Sequence, residues 1–131
     1  MRRVLLALVL LAPNLLLATP AQAHFDCYVS VAKALDQSPN VNFKGSYYCS
    51  GGQHSMSVTV TGQRRTPGQA FVDVGQAFNF DTRVGPTTIA DHFTIPIDCH
   101  KDYRTLVKGD AFGIDPDHAE TVASAILVHT C

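Results

Sequence analysis

The residues able to do chemistry in this 131-residue chain are few and scattered. Six histidines occur, and the stretch Asp98-Cys99-His100-Lys101-Asp102 places one imidazole between two carboxylates. Those residue types serve a metal site or an acid–base pair. His92 follows Asp91, and His118 follows Asp115 and Asp117. None of these clusters has a recognised ligand spacing. Asp115-Pro116-Asp117 resembles the start of a calcium loop, but Glu120 comes too early to close it. Polar residues at strand ends account for all three clusters more simply. His24 would chelate copper only as a new N-terminal residue with a second histidine nearby. No G-x-S-x-G elbow surrounds the serines, and Glu120 is the chain's single glutamate. No catalytic, cofactor-binding or metal-ligating residue is therefore assigned, and His92, His100 and His118 stay open.

The four cysteines, Cys27, Cys49, Cys99 and Cys131, carry a clearer message. No two form the local C-x-x-C pair of a zinc site. An even number in an exported chain implies two disulfides.

Export is read from the N-terminus. Arg2 and Arg3 precede an apolar run from Val4 to Ala12, broken by Pro13-Asn14, and Ala21-Gln22-Ala23 is a cleavage signature. This has the three parts of a secretory signal peptide. The run is too short and interrupted to span a bilayer. Residues 1–23 are expected to leave after Ala23. A single soluble, secreted domain of residues 24–131 would remain, without stable membrane insertion. Its charges are mixed and carry no Lys/Arg cluster, which argues against nucleic acid.

The elements that must position these residues repeat with period two. Ser55-Met56-Ser57-Val58-Thr59-Val60-Thr61 alternates hydroxyl and apolar residues, the mark of a half-buried antiparallel strand. Similar alternation runs through 25–31, 43–49, 72–80 and 93–99, and Val122–Thr130 reads as a more buried strand. Turn residues separate these runs: Ser50-Gly51-Gly52-Gln53 as a hairpin, Thr66-Pro67-Gly68, Val84-Gly85-Pro86 and Lys108-Gly109-Asp110. The expectation is an all-β, immunoglobulin-like antiparallel sandwich of about seven strands. Its core should draw on Phe43, Tyr47, Met56, Val58, Val60, Phe93, Ile95, Ile97, Ile126 and Val128. A single helical turn is expected within 31–36. Another is expected within 118–125, where Asp117 and Glu120 have capping-box spacing.

Gly45-Ser46-Tyr47-Tyr48-Cys49, following Asn40-Val41-Asn42-Phe43 and preceding Met56–Thr61, is answered by Cys99 in Pro96-Ile97-Asp98-Cys99. Over residues 40–130 this pattern resembles a group of small exported bacterial β-sandwich domains of uncharacterised function. The group's tryptophan after the second cysteine is absent here, and Tyr103 stands in that region. The group brings no catalytic residues.

Strand counting leaves the disulfide pairing open. One bent strand across 70–98 puts all four cysteines at one end. Two strands there, which Pro86 favours, put Cys27 with Cys49 and Cys99 with Cys131. The resemblance implies Cys49–Cys99, with Cys27–Cys131 as a clasp between the chain ends, and the entropy of longer loops mildly agrees. That pairing is the expectation carried forward.

The function expected is a non-catalytic extracellular binding or surface protein with an unknown extracellular protein or ligand as partner and no cofactor. The alternative is a secreted protease inhibitor presenting 63–69 or 81–88. A hydrolase built on His100 and Asp102 is a third and weaker reading.

Overall fold

A computed structural model describes residues 26–113 and 117–131. The expected signal peptide and His24 lie outside the described residues, as do Asp115 and Pro116.

Alternating sequence makes alternating burial. In β3 (Asn40–Cys49), Val41, Phe43, Gly45, Tyr47 and Cys49 are buried, while the residues between them face outward. In β4 (Ser55–Arg65), Met56, Val58 and Val60 point inward. The remaining strands are β1 (Cys27–Val31), β2 (Leu35–Gln37), β5 (Val72–Asp81), β6 (Thr87–Pro96), β7 (Lys101–Phe112), β8 (His118–Ala123) and β9 (Leu127–His129).

All pairings are antiparallel and fall into two sheets. In the first, β3 is central, with β6 along one side and β1 and β2 end to end along the other. In the second, β4 and β7 are central, with β5 outside β4 and β8 and β9 end to end outside β7. Among the described residues, nine strands thus fill seven lanes, because two edge lanes are each broken once. Three lanes facing four, with crossings at β3–β4, β5–β6 and β6–β7, give an immunoglobulin-like sandwich.

Phe43, Tyr47, Met56, Val58, Val60, Tyr103 and Val107 fill the space between the sheets, and Phe93, Ile95 and Ile97 pack against them. Tyr103 is wholly buried near the start of β7, and its hydroxyl accepts the Asp98 N–H at 2.7 Å. This is the tyrosine corner of such sandwiches. Opposite residues make room for the rings. A Cβ on Gly109 would lie 2.2 Å from the Tyr47 ring, and one on Gly45 would lie 2.2 Å from Val107.

Five expectations are corrected, the first being the turn at Lys108-Gly109-Asp110, which lies inside β7 and pairs with β4 and β8. The disulfides are Cys27–Cys49 and Cys99–Cys131. Cys27 and Cys49 face each other across β1 and β3. Cys49 cannot reach Cys99, because β3 and β6 pair along ten residues with Cys49 opposite Thr87 and Asn40 opposite Pro96. The two cysteines sit at opposite ends of a ribbon about 30 Å long.

No helix occurs among the described residues. The 31–36 stretch bends from β1 into β2, with the Ala32 N–H on the Lys44 carbonyl, and 118–123 pairs with β7. Asp117 accepts the Gly113 N–H instead of capping a helix. The 50–54 segment is no hairpin, since β3 and β4 belong to different sheets.

Ile126 and Val128 face outward. Ser124 exchanges hydrogen bonds with Thr105, breaking the lane. The strand restarts with Leu127 and His129 facing inward, which reverses the parity.

Candidate functional site

The sequence-marked histidines do not converge. His100 is exposed in the turn before β7, with φ of 57°. The carboxylates beside it are held by arginines: Arg64 Nη1 donates to Asp98 Oδ2 at 2.6 Å, and Arg65 Nε donates to Asp102 Oδ2 at 2.8 Å. Both arginines are the last residues of β4, and Arg65 also lies over the Phe71 ring with Arg104. Asp91 turns to accept the N–H of His92 itself, so that neighbouring pair is a backbone cap.

His118 stands in a network that sequence reading missed. Its ring stacks on Tyr47, and its Nδ1 meets the Tyr47 hydroxyl. Its Nε2 lies 3.9 Å from Glu120 Oε2, while Glu120 Oε1 accepts the Val29 N–H at 3.2 Å. Burial first, then the carboxylates of Asp110 and Glu120, pushes the Tyr47 phenol well above the usual tyrosine value. The phenol therefore keeps its proton, and the direction of its bond to Nδ1 follows the ring's tautomer. Tyr47 is wholly buried, while the His118 and Glu120 side chains of this network are 30 % and 38 % exposed. The network closes the seam between β1 and β8. Further along that seam, His129 Nδ1 and Asp36 Oδ2 pair at 3.1 Å and join β2 to β9. No signal in the sequence links Tyr47 to His118, 71 positions away.

Gln53 was missed as well. It is wholly buried, and its Nε2 donates to the carbonyls of Arg83 and Gly85 at 3.0 and 2.8 Å. The Gly52 N–H holds the Val84 carbonyl. The 82–86 loop is thus braced from within, with Val84 exposed at its tip.

The concave feature lies elsewhere, on the outer face of the first sheet. Three rows of side chains cross that face, fixed by strand register. Tyr28, Tyr48 and Thr88 form one row, and Ser30, Ser46 and Ala90 the next. Ala32, Lys44 and His92 form the third. The middle row is small, and the surface dips between it and the third row. The trough encloses about 400 Å³, within the size range of small-ligand sites. It is lined by Ser30, Ser46 and Ala90 on one side and by Ala32, Lys44 and His92 on the other, with Asp91 between them. Tyr28 and Tyr48 lie in the row beyond it, with ring centroids 5.2 Å apart, and Tyr28 is 53 % exposed.

Side chains cap some groups on the strand edges. Glu120 covers the Val29 N–H on β1. Asn79 accepts the Phe80 N–H on β5 and donates to the Ala90 carbonyl on β6, both from one amide. Such caps discourage strand addition at those groups.

No protein-family model matches the chain, and no curated protein matches it. Among solved structures, a protein provisionally named ApaA from Bordetella pertussis is similar at 10 % identity. The match covers 81 % of this chain and 94 % of that one, with a TM-score of 0.43.

Proposed function

We propose that this chain is an exported, disulfide-tied binding module that holds its extracellular ligand on the outer face of the first sheet and does no catalysis. The observation that carries the reading is the trough lined by Ser30, Ser46, Ala90, Lys44, Asp91 and His92, with the Tyr28/Tyr48 pair in the next row of the same face. An exposed aromatic pair beside a polar-lined dip supplies apolar contact and orientation together. Two disulfides fit an oxidising compartment, in accord with export and cleavage after Ala23. The test is an array of extracellular glycans and secreted proteins, probed with the mature chain. Tyr28→Ser/Tyr48→Ser should lose whatever the wild type captures, while Phe78→Ser/Phe80→Ser on the other sheet should keep it. The reverse pattern would refute the assignment of the face.

Protease inhibition through residues 81–88 is the second reading, and the bracing by Gln53 is what favours it. A substrate-like loop must also offer a backbone carbonyl to the protease's oxyanion hole. Here the carbonyls of Arg83, Val84 and Gly85 are all bonded inward. Nanomolar inhibition of any member of a serine- and metalloprotease panel would favour this reading over the first.

A further inference from the structure

We propose that the outer face of the second sheet is an interface between two copies of this chain, related by a two-fold axis that runs across the strands. This face lies on the opposite side of the sandwich from the trough, so the proposal does not depend on the binding-face reading. Alternation sends Met56, Val58 and Val60 of β4 into the core, and Ser55, Ser57, Thr59 and Thr61 therefore face outward. Register sets their neighbours. Phe80, Ser57 and Asp110 lie in one row, and Phe78, Thr59 and Lys108 in the next. Beyond the first row Phe112 stands beside Ser55, and beyond the second Leu106 stands beside Thr61.

The fold leaves the rings of this face in water. Phe78 is 61 % exposed, Phe80 52 % and Phe112 43 %. Large apolar groups gathered on one face mark an interaction surface. The order of residues along the lanes selects the partner. The outward residues of β7 are Leu106, Lys108, Asp110 and Phe112, which run apolar, cation, anion, apolar. Those of β4 are all hydroxyls, and β5 adds its two phenyl rings.

A two-fold axis across the strands, between the two rows, interchanges them. It lays Phe80 of one copy on Phe78 of the other, hydroxyl on hydroxyl, Asp110 on Lys108 and Phe112 on Leu106. Every class of group then meets its complement, as an interface made of one patch used twice requires. Facing sheets align within about 30°, so the rows stay in reach of one another. Within one chain the Lys108 ammonium lies 3.9 Å from the Asp110 carboxylate, outside hydrogen-bond reach. Both groups keep bonding capacity for the opposite copy. A partner of one charge sign would leave either the lysine or the aspartate unmatched, whereas a second copy matches both.

Sedimentation equilibrium of the mature chain tests this. A reversible monomer–dimer equilibrium is expected, with dimer populated by about 0.1 mM chain. Lys108→Asp and Asp110→Lys should each weaken the dimer by at least about tenfold, because like charges then face each other. Combining the two substitutions exchanges the charges and should restore the wild-type constant. Phe78→Ser/Phe80→Ser should leave a monomer. All four side chains are on the surface, so circular dichroism should be unchanged. If the phenylalanine variant fails to fold, the charge series decides alone.

A chain that stays monomeric up to about 1 mM would overturn the proposal. So would a dimer that none of these substitutions weakens, since it would use another face. A charge exchange that leaves the dimer as weak as the single variants would overturn the two-fold register, as would open-ended oligomers in place of a closed pair. Ligand capture by a monomeric variant is judged separately on the array, so failure of the dimer and failure of the binding face are distinguishable.

Discussion

Gln53→Ala would remove the amide donors that hold the carbonyls of Arg83 and Gly85, in a position with no exposed surface. Leaving the Arg83 carbonyl unpaired costs about 1–3 kcal/mol, while Gly85 keeps its bond from Thr87, so the unfolding free energy from urea titration should fall by that amount and the midpoint with it. An unchanged midpoint would mean that the loop is not held from within. Gly109→Ala would press a methyl into the Tyr47 ring. It should destabilise by about 1–3 kcal/mol through overpacking, measured the same way. A neutral result would show that the sheets can separate freely at that point. Asp36 makes a pH prediction. The Ser38 hydroxyl, more than the Ser38 N–H and His129, holds its carboxyl below the ordinary 3.8. A depressed folded value means that its stabilisation is complete above the unfolded value and lost as pH falls through the folded one. Carbon-13 NMR should place the midpoint below 3.8, and Ser38→Ala should raise it. An identical midpoint in the variant would remove Ser38 as the cause.

At the scale of the elements, each disulfide ties a short edge lane to its own sheet. Cys27 fastens the start of β1 to the end of β3, and Cys131 fastens the chain beyond β9 to the turn before β7. Loops separated by 22 and 32 positions give about 3–4 kcal/mol each in the chain-entropy model. Loss of either pair should lower the melting temperature. Non-reducing peptide mapping should recover Cys27 joined to Cys49, and a peptide joining Cys49 to Cys99 would contradict the fold. Much of this layout was legible in the sequence. The unbroken alternation of Ser55–Thr61 marks β4, and Pro86 marks the turn between β5 and β6 that decides the pairing. The entropy difference between pairings is logarithmic and therefore small, so it could not outweigh that geometry. The lane breaks at 32–34 and 124–126 were illegible. Alanine-rich segments there read equally well as helix, and the parity reversal that exposes Ile126 and Val128 depends on the Ser124–Thr105 bonds made in the fold.

For the whole molecule, the arrangement separates maintenance from recognition. One side of the sandwich is shut by Tyr47–His118–Glu120 and Asp36–His129, and the other is capped by Asn79. The concave outer face of the first sheet lies clear of both. The trough itself was not legible in the sequence, because its walls come from β1, β3 and β6 and meet only through register. Once the register is known, the serine and alanine row between tyrosines and cations follows from alternation alone. The most direct test is amide chemical-shift mapping of the nitrogen-15-labelled mature chain during titration with a molecule that the array captures. The account predicts that the largest shifts fall on Ser30, Ala32, Lys44, Ser46, Ala90 and His92, with Phe78 and Phe80 unmoved. Largest shifts on β5, or on the 82–86 loop with the first sheet unmoved, would contradict it.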